Sequence, residues 1–143
     1  MRFLKLIILL FVVFSMVACE KPAPPLTKEE IQKFIDDSKY ILSLLENARM
    51  DGFRELTFDE EREFLAYEVN YGSETDFQTA ADNPTVSLIV SEISLMKLEL
   101  GNTGTVVGNY NPKESYLMSK ESLNEYMLEL KNYLKDYGTK GEN

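Results

Sequence analysis

The chain contains no histidine and a single cysteine. Without histidine there is no general base that titrates near neutrality, no serine triad in its common form, and none of the commonest metal ligand. With one cysteine there is no disulfide within the chain, although many small exported domains rely on such bridges because their cores are thin. Recognisable ligand loops are missing too. The stretch Asn70-Tyr-Gly-Ser-Glu-Thr-Asp76 has oxygen atoms but lacks the spaced acids, central glycine and closing glutamate of an EF-hand loop. Gly101-Asn-Thr-Gly-Thr-Val-Val-Gly108 lacks the Gly-Lys-Ser/Thr ending and preceding strand of a phosphate cradle. There is no internal repeat of solenoid period. The apolar run Leu6 to Phe14 is too short to cross a bilayer, which takes about 20 residues.

That run instead has the plan of a secretory leader: basic Arg2 and Lys5, an unbroken apolar core, then small residues before a cleavage point. Met16-Val17-Ala18-Cys19 resembles the lipobox of bacterial lipoproteins, with leucine being commonest at the place held by Met16. The resemblance implies that residues 1–18 are removed and that Cys19 receives a diacylglycerol and often a third acyl chain. Two or three chains anchor a protein stably, at about 0.8 kcal/mol per buried methylene, where one does not. It also implies a cell-envelope location. Glu20 is not the aspartate that marks inner-membrane retention in enteric bacteria, which points to an outer membrane facing the periplasm if the host has one. Residues 19–26, with Pro22, Pro24 and Pro25, form a stiff tether. Residues 27–138 form the domain and 139–143 a disordered tail.

Removing 18 of the 143 residues leaves 125, a normal size for one domain that folds on packing alone. Removing two of the 15 basic residues leaves 13 against 24 acidic ones, a net charge of −11. Such a surface repels nucleic acid and anionic headgroups. The acids are concentrated. From Asp51 to Asp82 there are ten of them against Arg54 and Arg62. Asp59, Glu60, Glu61, Glu63, Glu68, Glu74 and Asp76 are the expected contact residues for a basic protein partner, and the alternative is a solvated face that keeps the domain soluble.

Periodicity predicts an all-α fold, a bundle of about four amphipathic helices. Thr27-Lys-Glu-Glu30 is a capping box that opens a helix over 28–50, with Ile31, Phe34, Ile35, Ile41, Leu44 and Leu45 on its core face and Asp51-Gly52 as its stop. Thr57-Phe-Asp-Glu60 repeats the signal for a second helix carrying Phe64, Leu65, Tyr67, Val69 and Tyr71 and ending at Gly72. Residues 73–82 read as a polar loop from which Phe77 plugs the core. Asn83-Pro84 starts a third, most buried helix, with Val86, Ile89, Val90, Ile93, Met96 and Leu100, closed by Gly101. Residues 102–118 read as an ordered loop, or as a short β-hairpin pairing Thr105–Val107 with Tyr116–Met118. A last helix runs from Ser119 to Gly138 with Leu123, Tyr126, Met127, Leu130, Tyr133, Leu134 and Tyr137 on one face. Its tyrosines are either core-edge packing or an aromatic strip for a partner.

Carboxylates, a serine–lysine dyad or tyrosine are the chemistry that remains. Glu60, Glu61 and Glu63 stand at a helix start, where capping and solvation account for them, so no enzyme activity, cofactor or metal is expected. Two functional classes follow: a binding or inhibitory lipoprotein, as immunity proteins are, and an accessory lipoprotein of an envelope complex. Changing Cys19 to serine should abolish membrane fractionation of the chain; a variant still wholly in the membrane pellet would mean that the leader is an uncleaved anchor.

Overall fold

The computed structural model describes residues 24–81, 83–102 and 110–137. Among them there are five helices and no strand: α1 (Lys28–Met50), α2 (Phe58–Tyr71), α3 (Asp76–Ala80), α4 (Pro84–Gly101) and α5 (Pro112–Asp136). The fold is all-α and the architecture a helical bundle. The sequence reading of about four helices becomes five because residues 76–80 form a short helix where a loop was expected.

Each helix start has a chemical cause. Thr27 and Thr57 both close complete capping boxes: the Glu30 amide donates to Thr27 Oγ1 at 3.2 Å, and the Thr27 amide donates to Glu30 Oε2 at 2.7 Å. Leu26 and Ile31, at the two positions of a hydrophobic staple, are both buried. Leu26, assigned to the tether from sequence, is thus already part of the core. Asn83 and Asn111 each accept a hydrogen bond from an amide of the first turn, Thr85 at 2.9 Å and Lys113 at 3.1 Å, with proline at the first helical position.

The Asn-Pro pair at 111–112 corrects two expectations. The last helix begins at Pro112, seven residues before Ser119, because Asn111-Pro112 acts as a start signal and not as a turn. Tyr116, Leu117 and Met118 therefore lie within α5, and the hairpin that needed them extended does not form. Its other half, Thr105–Val107, lies outside the described residues, as do Cys19, Asp82 and residues 138–143.

The four long helices, α1, α2, α4 and α5, run alternately up and down. α1 and α5 are joined at one end by the Tyr137 hydroxyl, which donates to the Leu26 carbonyl at 2.7 Å, and at the other by contacts to Glu46. α4 packs most extensively on α5 and also on α1; α2 packs on α1. All six positions expected on the core face of α4 are buried, and its mid-helix residues Ile89, Ile93 and Met96 are wholly so. Each such side chain contributes about 1.5–3 kcal/mol on leaving water.

Between α1 and α2 lies an aromatic cluster. The Phe34 ring is 5.1 Å from Tyr71 and 5.3 Å from Phe77, and Tyr71 and Phe77 are 4.8 Å apart. Phe77 does pack on the core, but from α3. The Ser38 and Tyr67 hydroxyls share a buried hydrogen bond of 2.9 Å, and Tyr71 donates to Asp37 at 2.6 Å. Gly72 ends α2 where a Cβ would stand 2.5 Å from the Glu68 carbonyl oxygen, so only glycine fits.

The polar tie between α1 and α5 is Glu46. Its carboxylate accepts from Arg49 at 3.0 and 3.1 Å on the same helix, and from Tyr116 at 2.9 Å and Lys120 at 2.5 Å on α5. Burial pulls the Glu46 carboxyl upward, and the hydrogen bonds from Arg49, Lys120 and Tyr116 outweigh it, leaving the group below its ordinary value. Glu46→Ala should cost on the order of 1–3 kcal/mol, because three donors are left facing a gap. Urea unfolding measures this as a lower midpoint at unchanged slope; a loss under about 0.5 kcal/mol would mean that water satisfies those donors equally well.

Candidate functional site

The acids expected to meet a partner lie on α2 and just after it, and the turn before α2 decides how they face. Gly52 (φ 90°) and Phe53 (φ 60°) both take left-handed backbone conformations. A phenylalanine there is held by its surroundings: its ring packs edge-on to Tyr116 at 5.5 Å, beneath the Lys113 ammonium at 5.3 Å. The reversal brings Arg54 back over α2. Arg54 Nη1 and Nη2 donate to the two carboxylate oxygens of Glu60 at 2.7 and 3.0 Å, and Arg54 also reaches Asp51.

Glu60 therefore has an internal role. Besides binding Arg54 it accepts from the Thr57 amide at 2.8 Å, and its own amide donates to Thr57 Oγ1. The Arg54 guanidinium, assisted by the Thr57 bonds, outweighs burial and lowers the Glu60 carboxyl to about 2. Of the seven expected contact residues, this one is taken up in fixing the helix start.

The others divide by position. Asp59 is exposed and Glu63 half-exposed, on one side of the outer surface, with Arg62 near both at 3.7 and 3.9 Å. Glu61 and Glu68 are on the other side; Glu61 pairs with Lys97 of α4 at 3.3 Å, and that ammonium also lies 5.5 Å from the Phe64 ring centre. Glu74 and Asp76 are exposed beyond the end of α2. Phe64, Tyr67 and Tyr71 point into the core, as expected, but Leu65 and Val69 do not. They stand outward with Phe58.

Two other features escape a reading by local pattern. Glu99, only 3% exposed, accepts from Ser115 at 2.7 Å and from the Tyr110 hydroxyl, tying the end of α4 to the start of α5. Beside it, an open groove of about 410 Å³ between α4 and α5 is lined by Glu92, Leu95, Tyr110, Glu114 and Met118, among others. The carboxylates of Glu46 and Glu99 each already receive two or more donors from within the fold. Among the described residues no group of three or more acids or cysteines is placed to hold a metal ion, and no helix is long and apolar enough to cross a membrane. The tyrosines of α5 divide: Tyr126 is partly buried, while Tyr133 and Tyr137 pair edge-on at 5.5 Å, with Tyr137 holding the start of the domain.

The folded-state value of Glu60, about 2, lies below its ordinary 4.5. Its contribution to stability is therefore complete above about pH 4.5 and is lost as pH falls toward 2. A Glu60→Gln variant keeps the capping geometry, so it should melt lower than the parent at neutral pH and fall less steeply between about pH 5 and 2. Thermal melts that fall in parallel would show that the Arg54–Glu60 pair does not contribute. No family model matches the chain, and no curated protein or solved structure matches it either.

Proposed function

We propose that this chain is a non-catalytic lipoprotein, lipidated on Cys19 and held at a membrane of the cell envelope, which binds a basic protein partner through the acidic outer surface of α2. The observation that carries the reading is the division of the acids. Glu46, Glu60 and Glu99 are engaged by donors within the fold, whereas Asp59, Glu63, Glu68, Glu74 and Asp76 are left at the surface on and just beyond one helix. A charge patch of one sign raises encounter rates with an oppositely charged partner and disfavours wrong ones. A role of the immunity or inhibitor type, in which a tethered protein neutralises a basic toxin or hydrolase at the membrane, suits such rapid capture. The tether concentrates the binding domain where an incoming protein would cross.

A second reading rests on a different surface. The outer side of α4 carries Leu88, Leu95 and Leu98, all substantially exposed, with Ser87, Ser91 and Ser94 between them and Glu92 at one edge. That favours an accessory lipoprotein docking through apolar contact, with the acids serving solubility.

Ionic strength separates the two. Capture by the acidic surface should weaken progressively from about 0.05 to 0.5 M salt, and should fall with Asp59, Glu63 and Glu68 changed together to lysine, Glu60 being left intact. Partner retention that is unchanged by both would leave the apolar surface of α4 as the contact.

A further inference from the structure

We infer that the outer surface of α2 is built to receive a basic amphipathic helix, and that Phe58, Leu65 and Val69 are the apolar anchors of that contact. The inference rests on the acidic-surface reading above and adds the shape and chemistry of what binds there.

These three side chains are 84%, 59% and 70% exposed. Positions 58, 65 and 69 share one side of a helix, opposite the buried Phe64, Tyr67 and Tyr71. At 1.5 Å per residue the stripe is about 16 Å long. Three large apolar side chains on the solvent side of a helix leave most of their surface in water.

The charges around the stripe say what covers it. On helical geometry Asp59 and Glu63 border it along one edge, and Glu61 and Glu68 along the other. Two bases share this surface: Arg62, between Phe58 and Leu65 on the same side of the helix, is drawn to the Asp59 and Glu63 edge, and Lys97 of α4 pairs with Glu61 at the other edge. An apolar centre between two acidic rows is complementary to an apolar stripe between two basic rows, which is the surface of a helix with apolar residues at i, i+3 or i+4, and i+7 and Lys or Arg on both flanks. Two helices packed 8–10 Å apart place such long basic side chains within reach of both rows. A second copy of this acidic chain would set like charges against each other, and a membrane would set the carboxylates against headgroup phosphates. Both are disfavoured by the same two rows.

The division of labour also follows. Apolar anchors in the centre carry most of the binding energy, while rim charges govern rate and selection. Glu60 holds α2 in place from beneath through Arg54.

The test uses the full chain in phosphatidylcholine nanodiscs, with empty discs subtracted, and a fluorescent peptide of about 18 residues made of leucine and lysine in the amphipathic pattern. Its scrambled sequence and a leucine–glutamate twin are the comparison peptides. The patterned basic peptide should bind, the scramble at least about tenfold more weakly, and the acidic twin not at all. Phe58→Ser, Leu65→Ser and Val69→Ser together should weaken binding at least about tenfold with circular dichroism and melting unchanged, since these side chains lie outside the core. The Asp59, Glu63 and Glu68 lysine variant should weaken it comparably, in a salt-dependent way. Binding lost on charge reversal but untouched by the serine variant would overturn the apolar anchors while leaving the acidic surface standing. Equal binding of the scramble would overturn the helical geometry. No binding above empty discs would overturn the inference altogether, whatever the salt dependence of the natural partner.

Discussion

The carboxylate of Glu46 sits where α1 meets α5, and the position of the acidic surface depends on it through a chain of contacts. Tyr116 donates to Glu46, and its ring is the surface on which Phe53 rests. Phe53 holds the left-handed turn, which delivers Arg54 to Glu60, which in turn fixes the start of α2. A partly buried carboxylate is costly where it lacks donors and specific where it has them. Here four hydrogen bonds from Arg49, Tyr116 and Lys120 offset the burial, so that only one register of α5 against α1 satisfies the group.

Charge in this molecule does two separate jobs. One set of acids is internal: Glu46 and Glu99 clamp α5 to its neighbours, and Glu30 and Glu60 close the helix starts. A second set is left outside on α2 and beyond. In a domain with no disulfide, the first set supplies fixed points that apolar packing alone does not specify. In the proposed function the second set is what selects a basic partner.

Local patterns in the sequence reached the helices well where a cap and a periodic stripe coincide. α1, α2 and α4 begin where Thr27, Thr57 and Asn83 indicate, α2 ends at Gly72, and α4 runs through Gly101, expected to close it, to a cap at Asn102. The start of α5 was hidden because the Asn111-Pro112 cap follows a glycine-rich stretch, where the same residues also read as turn formers. The pair Asn83-Pro84 supplied the signal that could have found it. Glu46 and Glu99 were illegible for a different reason. Tyr116 and Lys120 lie 70 and 74 positions from Glu46, and Ser115 lies 16 from Glu99. Helix α2 misled more subtly. Leu65 and Val69 stand among Phe64, Tyr67 and Tyr71 in the sequence, yet a period of 3.6 places them on the opposite side, and the helix has two apolar surfaces. Only one can face the core.

The central claim, that α2 presents the binding surface, is most directly tested by photocrosslinking in intact cells. A benzophenone amino acid would be placed at Ala66, exposed on the outer side of α2, and in a separate variant at Leu98 on the outer side of α4. The account predicts an adduct through position 66 whose crosslinked peptide is rich in Lys and Arg with helical apolar spacing. An adduct formed through position 98 with none through 66 would contradict it and place the contact on α4.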